Sequence, residues 1–350
     1  MQQPGGCVRV TIRDVAREAG VSVATVSRVF NDSGPVNPTT RARIREIARE
    51  LRYAPNSAAR SLSARRTGTL GVLLPDLHGA FFSEVIRGID LAVQRHHHHL
   101  LLSSSHNERS EVAAALRVMR GRVDGIILMS PAVDAETLVA ELPDDLPVVL
   151  LNCALRDERF DTIEIDNAGG AQAMVGHLLA CGHRRVALVG GPPRNHDARE
   201  RRRGYRAALR AAGVEPRAEW ELPGDYSEGA GHRAALALLA LDPRPTALFA
   251  ANDAMAVGAM SALREAGMRV PEDVAVTGFD DVPMARYVTP PLTTVRVAIS
   301  ELGARAVDVL MAALTRDGGH RRGHDVLPTS LVVRGSCGCR DRPPPPRAPP

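Results

Sequence analysis

The sequence contains no lysine: all 44 of its basic residues are arginine, a bias typical of GC-rich coding. It also has no apolar run near the roughly 20 residues that a membrane span requires. Its first ten residues lack the apolar segment of a secretory signal. These absences exclude an integral membrane protein and predict a cytoplasmic protein without a membrane partner.

Cysteine is scarce, with five residues at positions 7, 153, 181, 337 and 339. An odd number without framework spacing argues against a disulfide scaffold. Cys337 and Cys339 are separated by one residue, whereas zinc and redox pairs have two. The histidine run 96–99 could place at most two imidazoles on one helix face. No metal site is therefore predicted.

The sequence also lacks a recognisable catalytic constellation. Residues 190–193, Gly-Gly-Pro-Pro, follow an apolar run but do not form the G-x-G-x-x-G pattern. Proline moreover lacks the amide that a phosphate cradle needs. No Ser/His/Asp or Cys/His group has a spacing that supports nucleophilic catalysis. We therefore predict that the protein is not an enzyme and that it has no catalytic residues and no cofactor.

Charge is distributed unevenly along the chain. The formal net charge is +4, but residues 1–67 carry 12 arginines against 5 acidic residues, a net of +7, and the remainder carries a net of −3. A basic N-terminal block on a mildly acidic body indicates a head that binds a polyanion. The alternative is a solvated basic surface.

The head carries the start and stop signals of three short helices. Thr11 and Asp14 have the spacing of a capping box, and Gly20 permits the turn that ends the first helix. Ser22 caps a second helix, and Asn37 followed by proline begins a third. Apolar residues at helical spacing form the inner faces: Ile12, Val15, Ala16, Ala19, Val26, Val29, Phe30, Ile44, Ile47, Ala48 and Leu51.

Two short helices joined by a glycine-containing turn and braced by a third predict a helix-turn-helix. Its second helix would enter a DNA major groove about 12 Å wide, which favours small residues at the helix start. Val23 and Ala24 can contact base edges there, and Arg28 can donate two hydrogen bonds to a guanine. A plain three-helix bundle with a solvated polar face is the alternative. The side chains suited to phosphate contacts are Ser22, Thr25 and Asn31.

Apolar runs alternate with helical patterns, such as 82–91 and 198–212, over residues 68–340. This alternation predicts parallel sheets with helices on both faces. Because the pattern restarts near 160–185, two doubly wound α/β subdomains are expected. The apolar runs are at 69–75, 100–105, 124–130, 147–152, 185–191, 246–252 and 273–279.

Polar residues cluster where the predicted strands end. Ligands of open α/β sheets bind beyond the carboxyl ends of strands. Carboxylates and amides there suit a neutral polyhydroxyl ligand. Arg199 could donate a forked pair of hydrogen bonds, and Phe81, Phe82 and Tyr226 could supply apolar faces. The strand-end residues are Asp76, 103–105, Ser130, Asn152, 190–193, 252–253 and 280–281, and each taken singly could also be a strand-end cap.

At this level of detail the sequence resembles the lactose/galactose repressor (LacI/GalR) family. The resemblance rests on VTIRDVAREAGVSVATVSRVFN and VNPTTRARIREIARELRYAPNSAARSL in the head. In the body it rests on PDLHGAFFSEVIRGID, ANDAMAVG, GFDDVPMARYVTPPLTTVR and LPTSLVVRGSCG. It implies a periplasmic-binding-protein-like body and a hinge helix that folds when two chains sit on an operator.

The resemblance also implies specific site residues. Val23 and Ala24 would be the specificity pair, and Leu62, which stands among serine, alanine and arginine, would be the wedge at the operator centre. The residue pattern and the resemblance together give the predicted DNA-contacting residues Thr11, Ser22, Val23, Ala24, Thr25, Ser27, Arg28, Asn31, Tyr53, Asn56, Ala59 and Leu62. They likewise give the predicted effector-contacting residues Asp76, Phe81, Arg199, Tyr226, Asn252 and Asp280.

The sequence thus predicts a repressor of carbohydrate uptake or catabolism genes. It would bind a pseudo-palindromic double-stranded operator as a homodimer and respond to a small effector, a sugar, between the two body subdomains. The alternatives are a sugar-binding receptor without a DNA-binding role and an enzyme on a doubly wound sheet. The predicted domains are 8–55 (helix-turn-helix), 56–67 (hinge helix), 68–340 (effector-binding and dimerisation core, with chain crossings near 160–165, 290–297 and 325–328) and 341–350 (disordered proline-rich tail).

Overall fold

The computed structural model describes residues 10–31, 34–53, 66–153, 155, 157–315 and 322–339. The chain divides into two compact units, residues 1–67 and 68–350, called here the head and the body. The predicted tail and most of the predicted hinge helix lie outside the described residues. No helix within the described ranges is both long and apolar enough to cross a membrane.

The described residues of the head form three helices, α1 (Ile12–Ala19), α2 (Val23–Asn31) and α3 (Pro38–Glu50). Gly20 ends α1 with φ = +64°, in the left-handed region that glycine adopts without steric penalty. Asn37 accepts a hydrogen bond from the Thr39 amide (2.9 Å) and so caps α3. The predicted inner faces form the core, in which Val15, Val26 and Ile44 are fully buried.

The body contains two six-stranded sheets with helices between the strands. The first sheet has the order β11-β5-β4-β3-β1-β2 and the second the order β12-β10-β9-β8-β6-β7. All pairs are parallel except β10 with β12. The strands are β1 (Thr69–Leu74), β2 (His99–Ser104), β3 (Gly125–Met129), β4 (Val148–Leu151), β5 (Asp161–Ile165), β6 (Val186–Val189), β7 (Glu221–Leu222), β8 (Ala247–Ala250), β9 (Ala275–Asp280), β10 (Thr293–Arg296), β11 (His324–Leu327) and β12 (Ser330–Val332).

Each sheet defines one subdomain, with its helices packed on both faces. In β3, for example, Ile127 and Met129 belong to one buried apolar cluster and Ile126 and Leu128 to another. This alternation is expected of a strand that is covered on both sides. The helices are α4 (Ala80–Arg95), α5 (Arg109–Met119), α6 (Ala135–Glu141), α7 (Asn167–Ala180), α8 (His196–Ala211), α9 (Glu228–Leu239), α10 (Asp253–Glu265) and α11 (Ile299–Leu314), with 3-10 turns at Ala218–Trp220 and Pro283–Arg286.

The chain passes between the two subdomains three times. It leaves the first sheet after β5, returns between β10 and α11, and leaves again between β11 and β12. Within the first subdomain α4 and α11 approach so closely that a Cβ added at Gly88 would lie 2.0 Å from the Ser300 carbonyl oxygen. A glycine is therefore required at that crossing.

All seven apolar runs named from the sequence contain a strand, which confirms the predicted α/β body. Five further strands, β5, β7, β10, β11 and β12, were not predicted. Four of these have four residues or fewer and lie next to polar or loop-forming sequence, so their apolar signal is weak.

Candidate functional site

The first candidate site is the outer face of α2. Val23, with 41% of its surface exposed, and Ala24 lie uncovered at the start of the helix, and Arg28 is exposed one turn later. Val26 and Val29 on the opposite side are buried in the head core. The helix therefore presents small apolar groups and one guanidinium outward, the combination that a major-groove helix needs.

The polar residues of α2 pair with one another. The Thr25 amide donates to Ser22 Oγ (3.1 Å), and the two hydroxyl oxygens are 2.9 Å apart, so Ser22 caps the helix. Near the other end, Asn31 Nδ2 donates to Ser27 Oγ (3.1 Å). These bonds fix both ends of α2, and the same hydroxyls retain lone pairs or protons for a second partner.

Thr11 and Tyr53 lie at the borders of the head. The amide and the hydroxyl of Thr11 both donate to Asp14 Oδ2, at 2.9 and 2.7 Å, and these bonds lower the pKa of Asp14. The half-buried Tyr53 ring packs edge-to-face on Phe30 at 5.6 Å between centroids. Burial raises the pKa of Tyr53, so its hydroxyl stays a donor at neutral pH.

The second candidate site is a buried polar cluster at the carboxyl ends of the body strands. Its centre is Arg201 of α8, whose side chain is 4% exposed. Nη2 of Arg201 lies 3.3 Å from Oδ1 of Asp280, and Nε donates to Asn167 Oδ1 at 2.8 Å. The guanidinium carbon is 3.8 Å from the centroid of the Phe279 ring, and Nη1 donates to the Ala251 carbonyl. All four of these contacts come from the second subdomain.

The same cluster joins the two subdomains. Asp197 of α8 accepts from Asn167 Nδ2 (2.9 Å) and from Asn152 Nδ2 (3.2 Å). Asn152 follows β4 in the first subdomain, whereas Asp197 belongs to the second. A backbone bond from the His196 amide to the Pro131 carbonyl (2.8 Å) runs alongside. The bond between Asn152 and Asp197 thus connects the two subdomains within the cluster.

Asn252 and Tyr226 line the cluster from the loops before α10 and α9. Asn252 Oδ1 caps α10 by accepting from the Met255 amide (3.0 Å), and its Nδ2 donates to the Tyr226 carbonyl (3.0 Å). The Tyr226 hydroxyl donates to Asn195 Oδ1 at 3.4 Å. The Tyr226 side chain is therefore fixed at the edge of the cluster by its own polar end.

Three residues of this cluster have positive φ angles. Asn152, Tyr226 and Asp280 have φ values of +46°, +72° and +115°. A non-glycine residue in these regions costs about 1–3 kcal/mol and persists only where its surroundings hold it. Such strain is characteristic of functional sites.

Two buried oxygens of the cluster region have no hydrogen-bond partner among the described residues: Oδ1 of Asp280, although it faces Arg201 at ion-pair distance, and Oγ of Ser130. Burial raises the pKa of Asp280 to about 7, against the opposing effect of Arg201. Burial likewise raises the pKa of Asp197. The cluster can thus both donate to and accept from a bound hydroxyl group.

Comparison with known proteins places the head and the body in one family. Residues 11–56 match the model of bacterial regulatory proteins of the lacI family, and residues 175–337 match that of a periplasmic binding protein-like domain. The ribose operon repressor of Escherichia coli (strain K12) is 36% identical over 329 residues, covering 93% of this chain and 99% of that protein. The chain belongs to the LacI family.

Solved LacI-family structures share this architecture. A lac repressor dimer bound to operator and the anti-inducer ONPF is 31% identical, with a TM-score of 0.84 and coverage of 94% of this chain and 99% of that one. A LacI-family regulator from Enterococcus faecium with bound ribose is 30% identical, with a TM-score of 0.69 and coverage of 77% and 98%. The predicted family and fold class are confirmed, and this LacI-family chain is a DNA-binding transcriptional regulator.

The structure brings together three of the effector-contacting residues that the sequence suggested for this LacI-family chain, namely Asp280, Asn252 and Tyr226. Asp76 and Phe81 make local contacts instead. Asp76 Oδ1 accepts from the amides of Leu77 and His78 at 2.6 and 3.0 Å, and the Phe81 ring packs on Phe82 at 5.5 Å. They remain candidates by their position after β1.

Arg199 does not lie in the cluster. Its side chain is exposed, and its Nη1 donates to the Arg194 carbonyl at 2.6 Å. Arg201, two residues later on α8, occupies the buried position because a two-residue step turns a helix by about 200°. The sequence pattern suggested Arg199, whereas the buried arginine of the ARER stretch is Arg201; Arg201, Asn167 and Asp197 were not singled out from the sequence, and Asn152 was recognised only as a strand-end residue.

Three DNA-contacting residues suggested by the family resemblance, Asn56, Ala59 and Leu62, lie outside the described residues. Of the others, Ser22, Val23, Ala24 and Arg28 are exposed on or beside α2, and Thr25, Ser27 and Asn31 are half-buried on it. The outer face of α2 is thus the candidate surface for DNA in the described part of the head.

Proposed function

We propose that this regulator is a cytoplasmic repressor without enzymatic activity, and that it binds a pseudo-palindromic operator as a homodimer. In this proposal a sugar bound at the polar cluster controls DNA binding. The observation that carries the proposal is the hydrogen bond between Asn152 and Asp197, because it links the two subdomains within the cluster that would take the ligand. A ligand shifts such an equilibrium only by its differential affinity for the two arrangements.

The chemistry of the cluster favours a neutral polyhydroxyl ligand. Asp280 and Asp197 accept hydrogen bonds, Arg201 donates them, and Asn152 and Asn252 do both. Oδ1 of Asp280, which faces Arg201 at ion-pair distance but accepts no hydrogen bond among the described residues, is a place for a ligand hydroxyl. Tyr226 supplies an apolar ring face, onto which a sugar ring can pack. Bound ribose in the Enterococcus faecium relative supports the same class of ligand.

For the head we propose that α2 reads the major groove through Val23, Ala24 and Arg28, while Leu62 enters the minor groove at the operator centre. A head with so small a core binds weakly by itself. Joining two heads in a dimer makes the second half-site contact intramolecular and raises the overall affinity. The operator-bound lac repressor dimer supports this arrangement.

The proposal is tested by selection from a random-sequence duplex library, repeated with a panel of sugars and nucleosides. Enrichment of a palindrome that one sugar releases or retains supports the regulator and identifies its operator and effector. No enrichment under any condition would contradict DNA reading and favour a sugar-binding receptor.

We expect Arg28→Ala to relax base preference at one position of each half-site. Loss of a bidentate arginine–guanine contact costs about 1–3 kcal/mol of discrimination. Competition binding with single-base operator variants measures it. Arg43→Ala, which removes an exposed arginine of α3, is the control and should leave the base preference unchanged. Equal weakening on all sequences would instead assign Arg28 to a phosphate.

Asp280→Asn should change how stability depends on pH. The raised pKa of Asp280, about 7 against 3.8, means that the folded state holds the proton more tightly than the unfolded state. This carboxyl therefore makes the wild type lose stability as pH rises from about 4 to about 7, by roughly 1.4 kcal/mol for each unit of pKa difference.

Urea unfolding of the body from pH 4.5 to 7.5 measures this effect. Asparagine does not titrate, so the stability of the wild type relative to Asp280→Asn should fall across the range. Parallel pH profiles would show that Asp280 titrates normally.

A further inference from the structure

Three cysteines and one histidine meet in the second subdomain. Cys181 directly follows α7, and His177 precedes it by four residues, so both side chains lie on one face of the helix end. Cys337 and Cys339 come from the segment that follows β12 and are buried. Two distant parts of the chain thus bring four potential metal ligands to one place.

The distances suit a tetrahedral metal ion. His177 Nε2 is 3.5 Å from Cys337 Sγ and 3.7 Å from Cys181 Sγ. The ligand atoms of His177, Cys337 and Cys339 all lie within 4.8 Å of one another. Zinc–sulfur bonds of about 2.3 Å and zinc–nitrogen bonds of about 2.0–2.1 Å place the two ligand atoms about 3.6 Å apart in a tetrahedron. Both sulfur–nitrogen separations match that edge.

We propose that the reduced protein binds one zinc ion through Cys181, Cys337, Cys339 and His177. Cys3His is a donor set of closed structural zinc sites, in which all four ligands come from the protein. In this structure Cys181 and Cys339 are joined by a disulfide. A reducing cytoplasm, the compartment proposed above, keeps such cysteines as thiols.

Zinc loading requires reduction of the disulfide followed by loss of the thiol protons. A dithiol reductant gives two electrons and two protons to the disulfide, and Cys181 and Cys339 become thiols while the reductant becomes a disulfide. Zinc then displaces the protons of the three thiols, so that three thiolates and one neutral imidazole surround the ion. Three protons are released to solvent.

A zinc ion at this site would link the C-terminal end of α7 to the segment that follows β12. The segment that carries Cys337 and Cys339 is anchored to the second sheet by Ser336, whose Oγ accepts from the Thr293 amide (2.8 Å) and donates to the Val276 carbonyl (2.6 Å). A zinc ion would connect this segment to α7 as well. Since metal binding favours the folded state, zinc should raise the unfolding temperature of the body.

The test uses the full chain purified with a dithiol reductant and without chelator. Inductively coupled plasma mass spectrometry should find one zinc per chain, and Cys337→Ser and His177→Ala should each lose most of it. Cys153→Ser is the matched control, because Cys153 is buried but lies outside the cluster; it should keep one zinc.

A second measurement covers variants that fold poorly. Cobalt added to the reduced, metal-free wild type should give thiolate-to-cobalt charge-transfer absorption and raise the unfolding temperature. Two results would overturn the site: zinc and cobalt binding no greater in the wild type than in Cys337→Ser, or a Cys181–Cys339 disulfide that persists under the reductant, detected by mass spectrometry after thiol alkylation.

Discussion

Arg201→Ala is expected to abolish the response to effector, whereas Arg199→Ala leaves it unchanged. Arg201 is the cation that faces Asp280 in the buried cluster, and it also orients Asn167 toward Asp197. Removing one partner of a buried ion pair costs about 3–5 kcal/mol, because the remaining carboxylate is left without a counter-charge. Thermal unfolding of the body measures the loss of stability. Calorimetric titration with the sugar found by selection measures the loss of effector binding.

The two arginines make a matched pair because they share α8 and differ in burial. Arg199 is exposed and donates only to the Arg194 carbonyl in its own segment, so its loss should shift the unfolding temperature little. A normal effector response in Arg201→Ala, or its loss in Arg199→Ala, would contradict the assignment of the ligand site. Arg201→Lys should show an effector response between those of the wild type and Arg201→Ala, since the lysine ammonium keeps the charge but lacks the planar set of donors.

Ile44→Ala should eliminate operator binding without changing ligand binding by the body. Ile44 is fully buried in the head, in a core that contains eight buried apolar side chains of the described residues. Truncating a buried isoleucine costs about 2–5 kcal/mol, a large share of the stability of so small a unit. Circular dichroism of the isolated head sequence and gel-shift titration of the full chain measure the loss.

Val23→Ala serves as the control for the head. Val23 is 41% exposed on the outer face of α2, so its truncation should leave the head folded and change only which bases are preferred. If Ile44→Ala bound operator within threefold of the wild type, the head core would be more stable than its size suggests.

Local signals explain why the head was predictable from the sequence. Caps, glycine turns and apolar spacing are set by neighbouring residues, and Thr11, Gly20 and Asn37 act in the structure as their residue types suggest. The seven strongest strands were predictable for the same reason, since each is a continuous apolar run bounded by polar residues.

Contacts between distant segments explain what the sequence did not reveal. Whether Arg199 or Arg201 faces inward depends on how α8 is rotated against the sheet, and both arginines adjoin Glu200 in the sequence. The proposed zinc ligands could not be recognised from local spacing, because Cys181 and Cys339 are 158 residues apart in the sequence. The short spacing of Cys337 and Cys339 is not that of a metal pair by itself. Strand β11 pairs with β5 across a similar distance.

The three passages between the subdomains have a consequence for synthesis on the ribosome. The first sheet is completed by β11, which is translated after every strand of the second sheet except β12. Until then the outer edge of β5 has unpaired amides and carbonyls, a template for association with other nascent chains. A premature stop codon shortly before residue 324 would therefore leave both sheets without an edge strand, and neither half of the body can be expressed as one continuous segment.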